Sequence, residues 1–140
     1  MILKLPYKTF PLPGGGISTT AVLSVNIALP ETNAPRTKRF EAIIDSGASR
    51  CMFHASIGRF IGLDIEKGEV EDTAGITGDA RTYLHDITLY IPGGPLVIRA
   101  AFSEELPTAG LLGMNGFFEH FRVTFDPTGK RCELERIYQA

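Results

Sequence analysis

Short segments in which apolar and polar residues alternate are the feature that most limits the folds open to this chain. In residues 23–29 the side chains of Leu23, Val25 and Ile27 alternate with small or polar ones, and the pattern returns at 83–91 and 121–125. Such alternation predicts half-buried β-strands, because successive side chains of a strand point to opposite faces. The 15 glycines and 9 prolines separate these segments at short intervals and predict turns between them.

Other segments complete the expected order of elements. Residues 96–102 predict a further strand after a Pro-Gly turn, and the less polar runs 40–44 and 111–112 predict strands covered on both faces. Residues 54–62 predict a helix with Ile57, Phe60 and Ile61 on its apolar face, and Asn115 is a candidate cap for a second short helix. The fold class is therefore mostly β, closed or nearly so, with one or two short helices.

Length, charge and cysteine count limit the classes of partner and the cellular compartment to be expected. A length of 140 residues suits one domain, and a net charge of −2 gives no basic excess, so no nucleic acid is expected as a partner. No apolar run approaches the ~18 residues of a membrane span, and no secretory signal is present, which favours the cytoplasm without deciding the compartment. Cys51 and Cys132 are expected to be reduced and buried, although one long-range disulfide remains open.

One acidic residue directly follows an apolar strand. Asp45 comes after residues 40–44 and precedes Ser46 and Gly47, so a rigid element would hold its carboxylate beside small residues. Two carboxylates that share one proton can hydrolyse a peptide, the ionised one activating water and the protonated one donating to the carbonyl.

No second element of this kind occurs in the chain. Asp72 follows the polar run Glu69-Val70-Glu71, and Asp126 is followed by a proline that predicts a turn. A matching carboxylate must then come from a second copy of the chain, placed by a two-fold axis. The motif therefore predicts a homodimer.

Three motifs in order resemble the retropepsin-like aspartic peptidase family of retroviral proteases and their cellular and bacterial relatives. The first is Asp45-Ser46-Gly47-Ala48-Ser49 after its strand, and the second is the Gly-bearing segment 74–78, where the family has its flap. The third is Leu111-Leu112-Gly113, which resembles the apolar element behind the active site. The resemblance covers roughly residues 20–137 and implies a closed acid-protease-type β-barrel half, with a flap hairpin, in one domain.

The resemblance also implies roles for individual residues. It makes Asp45 and its symmetry mate the catalytic pair of an endopeptidase, with Ser46 bridging the dimer axis and Gly47 offering its carbonyl to an extended peptide or protein substrate. No cofactor and no metal are implied. The substrate-binding set would be Ala48, Ser49, Gly75, Ile76, Thr77, Gly78 and Leu111, with Ile76 and Leu111 supplying apolar lining.

The sequence departs from the retroviral pattern at several places. Retroviral members carry an Arg and an Asp that pair, and those positions hold Met114 and Ser49 here, which places the chain nearer to cellular and bacterial relatives. The flap segment also has fewer glycines. The first nineteen residues form an N-terminal extension, and these residues and 131–138 are candidates for a dimer sheet.

Other interpretations remain open. The chain could be a dimeric peptide-binding module with the same fold and no activity. Cys51 with His85 or His120 could form a thiol enzyme, and Cys51 with His54 has a spacing seen in metal sites, although no second pair accompanies it. Gly14-Gly15-Gly16 lacks the following Lys of a phosphate loop and predicts a turn.

Overall fold

The structure, a computed structural model, describes residues 2–12, 14–75 and 78–138, with the backbone alone for 73–75 and 78–80. Strands dominate, joined by one short α-helix and two short 3-10 helices. Among the residues so described, no helix is long and apolar enough to cross a membrane. In chain order the elements are β1 (Ile2–Pro6), β2 (Lys8–Pro11), β3 (Ile17–Thr20), β4 (Val22–Ala28), β5 (Phe40–Ile44), β6 (Met52–His54), α1 (Ala55–Phe60), a 3-10 helix (Ile65–Lys67), β7 (Glu69–Gly75), β8 (Gly78–Tyr90), β9 (Leu96–Ser103), β10 (Gly110–Leu112), a 3-10 helix (Phe118–His120), β11 (Phe121–Asp126) and β12 (Arg131–Arg136).

The main sheet closes on itself. Its seven strands run in the order β4-β5-β10-β6-β9-β8-β7, and β4 also pairs with β8, so β7 alone lies outside the ring. The pairs β5–β10 and β6–β9 are parallel, and the others are antiparallel. Closure leaves few open strand edges, which is how small β-proteins avoid pairing with other chains. The expectation of a mostly β, closed fold with few short helices is confirmed.

Strand β5 separates the core from the face that carries the acidic motif. Ala42 and Ile44 are buried, whereas Glu41 and Ile43 are half-buried on the opposite face. Asp45, one residue beyond the strand, falls on the same parity as Glu41 and Ile43 and is also half-buried. The alternation of this strand therefore turns the Asp45 side chain away from the core.

Aromatic and aliphatic side chains fill the interior of the ring. Phe53 and Phe102 are fully buried, with ring centroids 5.9 Å apart. Helix α1 packs so closely that a Cβ on Gly58 would lie 2.8 Å from the Phe102 ring. Burial of a phenylalanine side chain contributes about 1.5–3 kcal/mol, so this pair is a large part of the core.

The predicted strands are confirmed, and the helices differ in detail. Strand β8 begins earlier than the alternation indicated because its first residues pair with β7. Helix α1 lies within the predicted range, but Phe60 is 74% exposed, so the predicted apolar face is wrong at that position. The helix has only six residues, and Ala55 and Gly58 are its buried ones.

The second helix is displaced from its predicted start. Asn115 does not cap it; it forms a bridge with Arg50, and the 3-10 helix begins three residues later at Phe118. The backbone of Met114 and Asn115 is instead hydrogen-bonded to residues 48, 49 and 51, at the end of the acidic motif and just after it. Asn115 therefore belongs to the support of the candidate site.

The N-terminal residues form two small elements outside the ring. Strand β1 pairs with β12, which pairs with β11, in a three-stranded sheet within one chain. Strands β2 and β3 form a hairpin whose loop closes through a hydrogen bond from Leu12 N–H to Gly16 O, 3.1 Å. Gly14, Gly15 and Gly16 all have positive φ, which explains why the loop uses glycines. The predicted turn is confirmed.

Candidate active site

The acidic motif forms a tight turn at the end of β5. Asp45 N–H donates to Leu112 O of β10 at 3.0 Å, and Ala48 N–H donates to Asp45 O at 3.2 Å. The Asp45 carboxylate accepts a 2.8 Å hydrogen bond from Gly47 N–H. A Cβ on Gly47 would lie 3.2 Å from this carboxylate oxygen, so a larger residue there would press on the Asp45 side chain. The turn fixes the carboxylate on a rigid element, half-buried and open to solvent.

The segment after β10 supports the motif from behind. Met114 N–H donates to Ala48 O at 2.9 Å, and Asn115 N–H donates to Ser49 O at 3.0 Å. A Cβ on Gly113 would lie 2.5 Å from Arg50 O and 2.7 Å from Ala48 O, so only glycine permits this approach. The motifs at 45–49 and 111–113, which are remote in sequence, thus meet in the structure.

Leu111 lies beside the strand that carries the motif. It pairs in register with Ile43 in the parallel β5–β10 ladder and is half-buried. Neighbouring residues of a ladder share a face, so Leu111 and Ile43 lie together on the side of Asp45. The register thus places Leu111 on the face of the sheet that carries the acidic motif, and its role in substrate binding stays a prediction.

The predicted flap is a hairpin whose stalk is described and whose tip is not. Strands β7 and β8 pair as far as Gly75 and Gly78, while Ile76 and Thr77 lie outside the described residues. In the described part of the chain, no hydrogen bond joins Gly75 or Gly78 to residues 45–49.

A pair of charged residues that sequence reasoning missed links the stalk to the motif. Arg50 donates from Nε and Nη2 to the two carboxylate oxygens of Glu71, at 3.0 and 3.1 Å. Both side chains are partly shielded, with 20% and 36% exposed. Thr82 Oγ1–H also donates to Glu71 O at 2.6 Å, which fixes this part of β7 on β8.

The other aspartates considered from sequence have structural partners elsewhere. Asp126 accepts a 2.9 Å hydrogen bond from Gly129 N–H, which confirms its place in a turn. Asp72 lies in β7, where its carboxylate is 3.6 Å from Arg81 Nε and mostly exposed. Neither is bonded to the Asp45 turn, so within the described residues Asp45 has no carboxylate partner on its own chain.

The two cysteines are free and buried, and the pKa values of both thiols are raised. Burial, with a smaller contribution from the Glu119 charge, raises the pKa of Cys51 to about 12. Burial and the Glu133 charge raise the pKa of Cys132 to about 11. His85, proposed as a base for Cys51, instead hydrogen-bonds through Nε2 to Ile65 O at 2.9 Å. A thiolate nucleophile at Cys51 is therefore unfavourable.

The His54 side chain serves the helix that it precedes. Its Nδ1 accepts a 3.1 Å hydrogen bond from Ser56 N–H and caps α1. Across the described ranges, no three His, Cys, Asp or Glu side chains are grouped so that they could hold a metal ion.

Comparison with solved structures gives the fold a name. The chain is similar to a retropepsin-like aspartic protease from Rickettsia conorii, with a TM-score of 0.64 and 14% identity over 96% of this chain and 98% of that one. It is also similar to EIAV protease complexed with the inhibitor HBY-793, with a TM-score of 0.51 and 15% identity over 67% of this chain and 81% of that one. No protein-family model matches the sequence, and no curated protein matches it. The chain has a retropepsin-like fold.

Proposed function

We propose that two copies of this chain form an aspartic endopeptidase, with one Asp45 from each copy in a shared active site. The observation that carries the proposal is the Asp45 turn, in which the carboxylate accepts the Gly47 N–H on the outward side of a buried strand. The retropepsin-like fold supports it, because both of the similar structures are proteases.

The chemistry requires that the two carboxylates share one proton. Two like charges a few ångströms apart repel strongly, so the proposed mechanism assigns a single proton to the pair of carboxylates. The ionised carboxylate takes a proton from water as the oxygen attacks the peptide carbonyl, and the protonated one donates to the carbonyl oxygen. Proton transfer to the amide nitrogen then allows the C–N bond to break, which leaves a carboxylic acid and an amine.

The remaining predicted residues would bind the substrate or, in the case of Ser46, join the two chains. Gly47 would offer its carbonyl to an extended peptide, Ser46 would bridge the two chains, and Ala48 and Ser49 would line the cleft. The flap segment 75–78 would cover the peptide, which would lie in the cleft as an added strand. Leu111 and Ile76 would favour apolar side chains next to the scissile bond.

The dimer contact would involve the small sheet of β1, β12 and β11. Among the described residues, β1 and β11 each pair on one side only; Ile2 of β1 is 56% exposed, and Tyr138, which follows β12, is 67% exposed. Exposed edges with apolar side chains are suited to pairing with a second chain. The N-terminal residues and residues 131–138 would then contact the second chain in addition to pairing within their own chain.

A peptide library cleaved at pH 4–7 and read by mass spectrometry tests the proposal. We expect the wild type to cleave and Asp45→Asn to lose at least ~10²-fold in rate, as befits a group that transfers protons in the reaction. Asp126→Asn is the matched control, because Asp126 bonds Gly129 in a turn and pairs with Arg131, and is not bonded to the Asp45 turn. If the wild type forms a dimer and binds peptides without cleaving them, the chain is the non-catalytic binding module instead.

A further inference from the structure

Three arginines without an acidic partner adjoin one cavity of this acidic chain. The arginines that do have a carboxylate oxygen at 3.6 Å or less are Arg50, Arg59, Arg81, Arg99, Arg122 and Arg131. Within the described ranges, Arg36, Arg39 and Arg136 pair with no carboxylate. Arg36 and Arg39 line the cavity, and Arg136 donates to the backbone oxygens of Pro92 and Gly94, which also line it, at 3.1 and 3.0 Å. Uncompensated positive charge is therefore concentrated at this place.

The loop that carries Arg36 and Arg39 is anchored between them by Thr37. Thr37 is buried, and its N–H donates to Ile27 O at 2.9 Å. Ile27 N–H donates in turn to Thr37 Oγ1 at 3.1 Å, and Asn26 Nδ2 donates to Thr37 O at 2.8 Å. These hydrogen bonds hold the loop on β4, so a ligand of the two arginines would not need to order their backbone.

The Arg36 side chain is itself held by an aromatic ring. Its Cζ lies 3.6 Å from the centroid of the Tyr90 ring, and Tyr90 pairs with Asn26 in the β4–β8 ladder. A guanidinium that lies over a ring is attracted by the face of the ring and keeps the N–H groups at its own edge for other partners. Arg36 is thus oriented although it is exposed.

The cavity lies between this loop and the turn of residues 91–95. Its volume is about 410 Å³, within the usual range of about 300–1,000 Å³ for sites that bind small molecules. Its lining combines the apolar residues Ile91, Pro92 and Pro95 with the two arginines Arg36 and Arg39. No acidic residue contributes to the lining. The site is therefore suited to a ligand that has an anionic group and an apolar part.

The cavity is separate from the acidic turn. Arg39 comes just before β5 and Asp45 just after it, a distance of about 20 Å at the rise of a strand. Glu41 is the acidic residue between them, and it lies opposite Ser24 of the cavity in the β4–β5 ladder. Its carboxylate is already paired with Lys8 Nζ at 3.1 Å. An anion in the cavity would therefore meet two positive charges that no carboxylate neutralises.

We propose that this cavity binds an organic phosphomonoester, with the phosphate on Arg36 and Arg39 and the organic part against Ile91, Pro92 and Pro95. A phosphomonoester carries a charge of about −1.5 to −2 at pH 7, which matches two guanidinium groups, whereas a carboxylate matches one. Guanidinium groups also donate parallel hydrogen bonds to phosphate oxygens. The phosphate may be that of a small ester or of a phosphorylated side chain, and the inference does not depend on the proposed peptidase activity.

Calorimetric titration of the full chain at low salt tests the chemistry of the site. The probes are phenyl phosphate, inorganic phosphate and benzoate. We expect phenyl phosphate to bind with a Kd below ~1 mM, and the other two to bind at least ~10-fold more weakly. Arg36→Gln and Arg39→Gln should each raise the Kd of phenyl phosphate at least ~10-fold. Lys67→Gln is the control, because it also removes one positive charge, from a side chain that is 82% exposed and does not line the cavity.

A peptide arm distinguishes the two sources of the phosphate. A hexapeptide with phosphotyrosine and its unphosphorylated analogue are titrated into the Asp45→Asn chain, which should not cleave them. Binding of the phosphopeptide at least ~10-fold tighter than that of phenyl phosphate would assign the site to a phosphorylated side chain, and equal or weaker binding to a small ester. Either result, with amide NMR shifts at residues 24, 26 and 90, supports the proposal.

Four outcomes would overturn the inference. They are no binding of phenyl phosphate, an unchanged Kd in both arginine variants, benzoate binding as tightly as phenyl phosphate, and inorganic phosphate doing so. The last two would show that the site takes a carboxylate or any small anion rather than an organic phosphate. None of them bears on Asp45, so the proposed peptidase would remain intact. The NMR shifts are measured on an unaltered cavity, so the test holds even if an arginine variant fails to fold.

Discussion

Arg50 and Glu71 join the acidic turn to the stalk of the β7–β8 hairpin through two parallel hydrogen bonds of 3.0 and 3.1 Å. A bidentate pair of this kind fixes orientation as well as distance. Arg50 Nη1 also donates to Arg99 O at 3.3 Å, so the same guanidinium contacts β9. The Arg50 side chain therefore bonds the stalk to the segment that follows the acidic turn.

Loss of this pair should loosen the hairpin over the cleft. We expect Glu71→Gln to lower kcat/KM about 10-fold while stability falls by only about 1 kcal/mol, since the pair is partly exposed. Glu69→Gln is the matched control, because Glu69 lies on the same strand and pairs with Arg99 in a more exposed setting. Amide hydrogen exchange in the Glu71→Gln variant should become faster in β7 and stay unchanged in β11. That result would show that the lower kcat/KM comes from a loosened stalk. Equal kinetics for the two variants would show that the pair does not position the hairpin.

Gly113 should tolerate no side chain. An alanine Cβ would lie 2.5 Å from Arg50 O and 2.7 Å from Ala48 O, and backbone atoms cannot move aside cheaply. We expect Gly113→Ala to lower the free energy of unfolding by about 1–3 kcal/mol and to impair cleavage. Met114→Ala, at a side chain that is 49% exposed, should change stability by less than about 0.5 kcal/mol. Urea unfolding of the two variants measures the difference, and similar midpoints would contradict the described approach.

The buried thiols should make the fold sensitive to alkaline pH. In the unfolded chain a thiol ionises near pH 8.5, whereas in the folded chain the pKa values are about 12 for Cys51 and about 11 for Cys132. Above pH 8.5 the unfolded state therefore binds fewer protons than the folded state, and stability falls as pH rises toward 11–12. The expected slope is about 1.4 kcal/mol per pH unit for each thiol.

Urea unfolding at pH 7, 9 and 10 measures this loss. Cys51→Ala should show a shallower decline than the wild type over pH 9–10, whatever its stability at pH 7. Thiol reagents should label neither cysteine in the folded chain at pH 8 and both in urea. A decline that is the same in the variant would show that another group causes it.

The sequence was informative where the structure depends on local pattern. Alternation located the strands, and the position of Asp45 directly after an apolar strand, beside small residues, matches its place in a tight turn at the end of β5. Phe60 was misplaced because six helical residues are too few for periodicity to define a face. The Arg50–Glu71 pair spans 21 positions, so it depends on a tertiary contact that no local pattern encodes.

The central claim is that each active site needs Asp45 from two chains, and mixing wild type with Asp45→Asn tests it most directly. The two are unfolded, combined in equal amounts and refolded at a constant total concentration, so that the chains pair at random. If both carboxylates are required, about a quarter of the dimers are active, and the rate falls to about a quarter of that of the wild type alone. A control mixture with Asp126→Asn should keep the full rate. A rate of about half in the Asp45→Asn mixture would mean that one chain suffices, and would contradict the shared site.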